Sequence, residues 1–179
     1  MPNCMKTAVL PRTHRSWFFI CVICFLAAFG FTERIAWSAQ GPGPAAIIVD
    51  YVVDGDSLVV KNGTQKMEVR LWGIDAPEYD QPDSITARNG LKKMVMGKKG
   101  VLYIKYQDRY GRYVSLLKIK DLNVNEAMVA NGHSWVYDRY CREPVCQRWK
   151  HLQAEAKKQR RGLWSGNDPV PPWQWKASR

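Results

Sequence analysis

Three strand-like segments follow one another closely between residues 47 and 72, and this spacing constrains the fold most. IIVDYVV (47–53) and SLVVK (57–61) are rich in β-branched residues, which are enriched in strands. Asn62-Gly63 comes next, a strong signal for a two-residue hairpin. KMEVRLW (66–72) then alternates, which places Met67, Val69 and Leu71 on one face of a strand and Lys66, Glu68, Arg70 and Trp72 on the other. The sequence therefore predicts an antiparallel meander of three strands.

The segments after residue 80 alternate between helical and strand-like patterns. Apolar spacing and end signals predict helices over 84–97, 123–132 and 145–162, and β-rich runs predict strands over 101–106 and 112–119. Gly90 weakens the first helix in the middle. The order βββ-α-ββ-α-α predicts an α+β domain with a mostly β core, a five-stranded OB-type barrel carrying about three helices.

The N-terminal segment predicts a separate leader. Lys6, Arg12 and Arg15 precede the uncharged run Ser16–Phe31, which is the pattern of a secretory signal. The run is slightly short for a membrane span of roughly 17–25 residues. We read residues 1–38 as a signal peptide cleaved before Ala39, with an uncleaved signal anchor as the alternative.

The leader sets the remaining boundaries along the chain. A linker covers residues 39–46, a folded domain covers 47–166, and a tail rich in Pro and Trp, which we predict to be non-helical, covers 167–179. Export would place the domain in the periplasm or outside the cell, and an uncleaved leader would anchor it in the inner membrane.

The charge belongs mainly to the domain. The formal net charge is +11, and residues 1–38 account for +3 of it, which leaves +8 for the rest. Such a basic chain favours polyanionic partners, either nucleic acid or an anionic membrane surface. The alternative is that Lys and Arg only keep the surface soluble.

Cysteine usage agrees with export. Cys4, Cys21 and Cys24 lie in the leader, and only Cys141 and Cys146 lie in the domain. An even pair in an exported chain predicts a disulfide. Zinc binding by this pair is disfavoured because no second Cys or His pair lies at zinc spacing.

Acids and arginines are concentrated where predicted strands meet loops. The three segments are VVDGDS (52–57), RLWGIDAPE (70–78) and DRYGR (108–112). Sites on rigid scaffolds tend to lie at such positions. Each segment also has a purely structural explanation. The first is a turn at Asp54-Gly55 that Asp56 only caps, the second is a solvated strand face for Arg70 with a solvated loop after it, and the third is an ordinary turn at Tyr110-Gly111.

Together these side chains match the needs of phosphodiester hydrolysis. Asp56 and Asp75 could supply oxygen ligands to Ca²⁺ or Mg²⁺. Arg70 and Arg112 could each present a fork of donors to phosphate. Glu78 could orient and deprotonate the attacking water.

The chain resembles the thermonuclease, or staphylococcal nuclease, family. The resemblance rests on DGDS (54–57), the Arg70-x4-Asp75-Ala-Pro-Glu78 segment and DRYGR (108–112), and it extends from about Ile48 to Trp164. Three motifs in this order are far more specific than any one alone. The resemblance implies an OB-type barrel with helices, in agreement with the predicted element order.

The resemblance also implies roles for particular residues. Asp56 and Asp75 match calcium-binding carboxylates, and Ala76 matches a position that contributes a backbone carbonyl to the metal. Glu78 matches the proposed general base.

The remaining implied roles concern the substrate. Arg70 and Arg112 match the two arginines that grip the scissile phosphate, and Tyr110 matches a substrate-side tyrosine. Tyr140, with Tyr137 as an alternative, matches the tyrosine near the nucleotide base.

The sequence departs from the family pattern in several places. Ser57 stands in place of the usual Thr, and Ala76 in place of a frequent Thr. The loop after Glu78 is shorter than in the best-known secreted members, and those members lack the pair Cys141 and Cys146.

Three functions remain open from sequence. The first is a monomeric Ca²⁺-dependent endonuclease, with Mg²⁺ or another divalent ion as a substitute, that cleaves DNA and RNA outside the cytoplasm. The second is a non-catalytic OB module that binds nucleic acid or protein. The third is a membrane-anchored scaffold. The complete set of acids and arginines favours the first.

Overall fold

The computed structural model describes residues 43–179, so the leader and the first part of the linker lie outside the described residues. The strands are β1 Ala45–Val52, β2 Ser57–Asn62, β3 Gln65–Leu71, β4 Ile74–Asp75, β5 Lys99–Gln107, β6 Tyr113–Ile119, β7 Leu122–Asn123 and β8 Trp135–Val136. The helices are α1 Ser84–Val95, α2 Val124–Ala130, α3 Val145–Lys158 and α4 Pro172–Ala177, with a 3-10 turn at Gly162–Ser165. Within this part of the chain, every helix is too short or too polar to cross a membrane.

The main sheet closes on itself, which confirms the predicted barrel. Its strands run in the order β3-β2-β1-β5-β6-β7, and β3 also pairs with β6. The closing pair is parallel, with Arg70 beside Val114, whereas the β2–β3 hairpin is antiparallel, with Ser57 beside Arg70. Five strands thus form the barrel and β7 extends it. The closure brings the start of β2, the end of β3 and the start of β6 to one place.

The core is built from the alternating faces of these strands and the apolar sides of the helices. Val60 and Val69 from the hairpin and Leu117 from β6 are fully buried, as is Leu91 from α1. Burial of such side chains contributes about 1.5–3 kcal/mol each. The period-two pattern in β3 therefore predicted the correct inward face.

Trp72 differs from the alternation expected for the third strand. The pattern places it on the same face as Arg70, yet it is buried and packs edge-on against Trp149 of α3, with ring centroids 5.7 Å apart. The reason is that β3 ends at Leu71, so the pleat no longer dictates the direction of the next side chain. The backbone amide of Trp72 donates to the Ser115 carbonyl of β6 at 2.8 Å.

Gly90 does not interrupt α1. A Cβ atom at this position would lie 2.4 Å from the His133 ring, so the glycine makes room for that side chain. Burial lowers the pKa of His133, because the charged imidazolium would lose its hydration there. Gly90 lowers the intrinsic helix propensity of α1, but it allows α1 to pack closely against His133, which follows α2.

The prediction of a non-helical tail is wrong. Residues Pro172–Ala177 form the short helix α4, with proline in its first turn. Proline suits that position because its missing amide would have no helical partner. Trp173 stacks on Tyr137 with ring centroids 5.1 Å apart, and the Gln81 amide donates to the Val170 carbonyl at 2.5 Å. These contacts hold the tail against the domain.

Candidate active site

The DGDS segment is a turn that directs Asp56 inward. Asp54, and not Asp56, caps the turn: its Oδ1 accepts from the amides of Asp56 at 2.9 Å and Ser57 at 2.6 Å. A Cβ at Gly55 would lie 2.5 Å from the Cβ of Ala76, so only glycine fits this close approach. Asp56 is consequently buried at the start of β2.

Arg70 lies between two buried carboxylates. Its Nη1 contacts Oδ2 of Asp56, and its Nη2 contacts Oδ1 of Asp75 at 2.5 Å. The Arg70 side chain is only 16% exposed, so the solvated strand face considered from sequence is wrong. The Ala76 amide donates to Asp56 Oδ2 at 2.6 Å, and this hydrogen bond holds the RLWGIDAPE segment (70–78) against the VVDGDS segment (52–57).

Burial and charge act against each other in this cluster. Burial raises the pKa of Asp56 well above its ordinary value, and the charge of Asp75 raises it further, while Arg70 lowers it. Burial likewise raises the pKa of Asp75. Burial lowers the pKa of Arg70, but the charges of Asp56, Asp75 and Asp54 outweigh this, so that pKa lies above its ordinary value. The pair of acids therefore depends on nearby positive charge to stay ionised.

Glu78 follows Asp75 by way of a buried Pro77 and lies at the edge of the same cluster. Its side chain is 33% exposed, and its Oε1 accepts from the Lys176 Nζ of α4 at 2.7 Å. The Glu78 amide donates to Gln81 Oε1 at 3.1 Å. Glu78 is thus neither fully buried nor free in a loop, and its carboxylate faces a cation from the tail.

Arg112 is held by a tight turn before β6. Asp108 accepts from the Arg112 amide at 3.0 Å, from Arg112 Nε at 2.9 Å and from the Tyr110 amide at 2.9 Å. Burial alone would raise the pKa of Asp108, but these hydrogen bonds outweigh it and the pKa lies below its ordinary value. Because β6 pairs with β3, the Arg112 guanidinium faces the same space as Arg70.

Four tyrosines border this space, and three of them, Tyr110, Tyr137 and Tyr140, were considered for substrate contact from sequence. Tyr110 is 67% exposed and its hydroxyl accepts from Arg109 Nη2 at 2.6 Å. Tyr140 is 48% exposed and packs edge-on against Tyr137, with centroids 5.1 Å apart. Tyr137 is itself covered by Trp173 of α4. Between the two candidates for the base-side tyrosine, Tyr140 is therefore the one with an open ring.

Most of these side chains line one cleft of about 830 Å³. Among the predicted site residues, those that line it are Asp56, Arg70, Asp75, Glu78, Tyr110, Arg112 and Tyr140. Ala76 is buried behind the cleft, and the cysteine pair lies outside its lining.

Other lining residues were given no role from sequence, among them Asp54, Tyr106, Arg139 and Lys176. Asp54 carried a usable signal, since it begins the DGDS motif. No sequence signal pointed to Lys176, because nothing in the sequence of the tail indicates where the tail packs.

The two domain cysteines form the predicted disulfide. Their Cα atoms are 5.6 Å apart, and both residues are buried. The bond joins the start of α3 to the residue that follows Tyr140. It therefore fixes one wall of the cleft.

We expect replacement of Cys141 and Cys146 by serine to lower the free energy of unfolding by about 2 kcal/mol, the value for so short a loop. Without the disulfide, the loop that carries Tyr140 is held less firmly, so nucleic-acid binding by Tyr140 should also weaken. Urea unfolding with and without dithiothreitol measures the first effect. Reductant should lower the stability of the wild type to that of the variant and leave the variant unchanged. A wild type insensitive to reductant would contradict the disulfide.

The fold and cleft together define an OB-type domain with an acid and arginine cluster at one end of its barrel. A family model described as staphylococcal nuclease homologue matches residues 68–166. A relative from Escherichia coli O157:H7 named "Uncharacterized endonuclease" is 41% identical over 126 residues, covering 70% of this chain and 80% of the relative.

Two further relatives have similar names. A Haemophilus influenzae "Uncharacterized endonuclease" is 34% identical over 70% of this chain and 69% of its own length. A "Probable staphylococcal-like nuclease CAN3" from Oryza sativa subsp. japonica is 38% identical over 64% of this chain and 30% of its own length. The chain belongs to the staphylococcal nuclease family, and it is a nuclease, a hydrolase of phosphodiester bonds.

Proposed function

We propose that this protein is a Ca²⁺-dependent endonuclease that cleaves DNA and RNA outside the cytoplasm. One observation carries the proposal: Asp56, Asp75, Glu78, Arg70 and Arg112 all line a single open cleft. These are the side chains that phosphate binding, metal binding and water activation require. Their convergence from three separate segments of the chain argues against independent structural roles.

The acid pair fits a divalent metal ion. Asp56 and Asp75 are buried with only Arg70 between them, and Asp75 Oδ2 is a buried atom that lacks a hydrogen-bond partner among the described residues. No group of three or more Asp, Glu, His or Cys suited to a metal occurs in residues 43–179. Asp56 and Asp75 would hold the ion, with the backbone carbonyl of Ala76 that the family resemblance implies, and water would complete the oxygen shell that Ca²⁺ takes.

The family setting supports this assignment. Nucleases of this family generally depend on a divalent metal ion. When bound, the ion would supply positive charge that stabilises the pentavalent phosphate. We favour Ca²⁺ over Mg²⁺ because Ca²⁺ accepts carboxylate and carbonyl oxygens in flexible coordination, whereas Mg²⁺ demands near-ideal octahedral geometry.

The two arginines bind the scissile phosphate. Arg112 lines the cleft, and Asp108 holds its Nε and Nη2. Arg70 is fixed by the buried acids and lines the cleft from β3, the strand that pairs with β6. Two guanidiniums at fixed positions stabilise the charge that gathers on the phosphoryl oxygens, without reorganisation during the reaction.

Glu78 activates the attacking water. The carboxylate borders the cleft and its Oε1 is held by Lys176. Oriented in this way, the carboxylate takes a proton as the water attacks phosphorus, a contribution of typically 10²- to 10⁴-fold in rate.

An open cleft and exposed aromatic rings support a broad substrate range. Tyr110 and Tyr140 stand at the cleft with their rings accessible, and stacking on aromatic rings tolerates any base. The residues that we assign to the chemistry address phosphate, metal and water, and none of these groups distinguishes DNA from RNA. We therefore propose that both DNA and RNA are cleaved.

Export is supported by the N-terminal sequence pattern and by the cysteine pair. Disulfides persist in oxidising compartments such as the periplasm or the cell exterior. We propose that the domain works there as a monomer, either released after Ser38 or held by an uncleaved leader.

The test is an assay of residues 39–179 on single-stranded DNA, double-stranded DNA and RNA, with Ca²⁺, Mg²⁺ or excess chelator. We expect cleavage of all three with Ca²⁺ and loss of activity in chelator. Ca²⁺ should also raise the melting temperature of the wild type. It should raise that of the Asp56→Asn, Asp75→Asn double variant far less, because this variant keeps the shape of both side chains but lacks the two negative charges that attract the ion.

Full activity in excess chelator would contradict the metal assignment. Salt-sensitive nucleic-acid binding without any cleavage in Ca²⁺ would instead support a non-catalytic binding module.

A further inference from the structure

The C-terminal helix α4 packs on the loop that carries Glu78. Trp175 Nε1 donates to Asp80 Oδ1 at 3.3 Å, and Arg179 forms an ion pair with the same Asp80. Gln81 is buried and connects both parts of the chain: its Oε1 accepts from the Glu78 amide, and its Nε2 donates to the Val170 carbonyl. The tail is thus joined to this loop at several independent points.

The same helix reaches the cleft with one side chain. Lys176 lines the cleft together with Arg70 and Asp75, and its Nζ lies 2.7 Å from Glu78 Oε1. Burial lowers the pKa of Lys176, but the hydrogen bond to Glu78 and the charge of Asp75 outweigh this, so that pKa lies above its ordinary value. The side chain therefore carries a full positive charge at neutral pH.

An ion pair of this kind fixes the direction of a carboxylate. Glu78 stands on a loop, and a free glutamate side chain there would sample several rotamers. The contact with Lys176 engages one oxygen, Oε1, so Oε2 is the oxygen left to accept a proton from water. General base catalysis depends on this geometry before anything else.

We propose that α4 completes the active site, with Lys176 as a positioning residue that holds Glu78 in the orientation needed to activate water. The proposal rests on the proposed function of Glu78. It assigns a role to the part of the chain after residue 166, where the match to the family model ends. The opposite reading is that Lys176 blocks Glu78 and inhibits the enzyme, and the experiment separates the two.

The experiment compares Lys176→Met with Arg179→Met in the purified protein. Both variants remove one cation of the same tail from an acid of the same loop, but only Lys176 lines the cleft. Cleavage of a labelled single-stranded DNA oligonucleotide in Ca²⁺ gives kcat and KM. We expect Lys176→Met to lower kcat about 10- to 100-fold, the effect of a misplaced catalytic group, with KM changed less than threefold.

Two further variants separate positioning from a structural effect. Lys176→Arg keeps the charge and should recover most of the activity. In a Glu78→Gln background, Lys176→Met should cause no further loss, because residues that act as a unit are not additive. Melting temperatures of all variants check that the fold is intact.

Several results would overturn the proposal. A kcat of Lys176→Met above that of the wild type would mark Lys176 as an inhibitor. A kcat equal to that of Arg179→Met would mean that Lys176 has no special role. A loss caused by Lys176→Met in the Glu78→Gln background as large as its loss in the wild type would mean that Lys176 does not act through Glu78. If Glu78→Gln is inactive and Lys176→Met is not impaired, only the role of Lys176 fails. If Glu78→Gln keeps full activity, the proposed function of Glu78 fails as well.

Discussion

Replacement of Glu78 by glutamine is expected to lower kcat by about 10²- to 10⁴-fold, the usual contribution of a general base. Glutamine keeps the size of the side chain, and its carbonyl oxygen can still accept from Lys176. It cannot take a proton from water. The hydrogen bond from the backbone amide of residue 78 to Gln81 Oε1 does not involve the side chain of residue 78, so it is retained. The free energy of unfolding should therefore change by only about 0.5 kcal/mol, as for most surface substitutions.

The matched control for this variant is Asp80→Asn. Asp80 lies on the same loop and also pairs with a cation of the tail, but it does not line the cleft. Initial rates of DNA cleavage in Ca²⁺ should be nearly unchanged in Asp80→Asn. Equal losses in the two variants would mean that charge on the loop, and not a base at residue 78, governs the rate.

Replacement of Arg70 by methionine is expected to affect both stability and activity. Arg70 is the cation that contacts both buried acids, Asp56 and Asp75. Its removal leaves two buried carboxylates without compensation, and breaking a buried pair in this way costs roughly 3–5 kcal/mol. Urea unfolding in the presence of chelator measures the loss. Ca²⁺ should restore part of it, since a ligand that binds only the folded state stabilises that state.

Arg112→Met provides the comparison for Arg70→Met. Both arginines are assigned to phosphate, so both variants should lose activity. The partner of Arg112 is Asp108, which lies in a surface turn and stays partly hydrated. Loss of this pair should cost about 1 kcal/mol or less. Equal destabilisation of the two variants would contradict the conclusion that Arg70 compensates the buried acids.

Local patterns were sufficient for the barrel strands. Alternation in residues 66–72 and the Asn62-Gly63 turn predicted the β2–β3 hairpin, since both signals depend only on neighbours in the chain. The helix predicted over 145–162 ends in the structure at Lys158, and Gly162 begins a separate 3-10 turn. Helix ends are decided by caps and tertiary contacts, which periodicity does not report.

The sequence by itself determined which side chains could form a site, because the proposed phosphate, metal and water roles depend on residue type and on the order of three short motifs along the chain. Only the tertiary structure decided how those side chains are arranged. It buried Arg70 between two acids, and it folded the tail into a helix that brings Lys176 to Glu78. A six-residue helix has no stability of its own. Its formation depends on packing against Tyr137 and Gln81, partners distant in sequence, so no local pattern in the tail could reveal it.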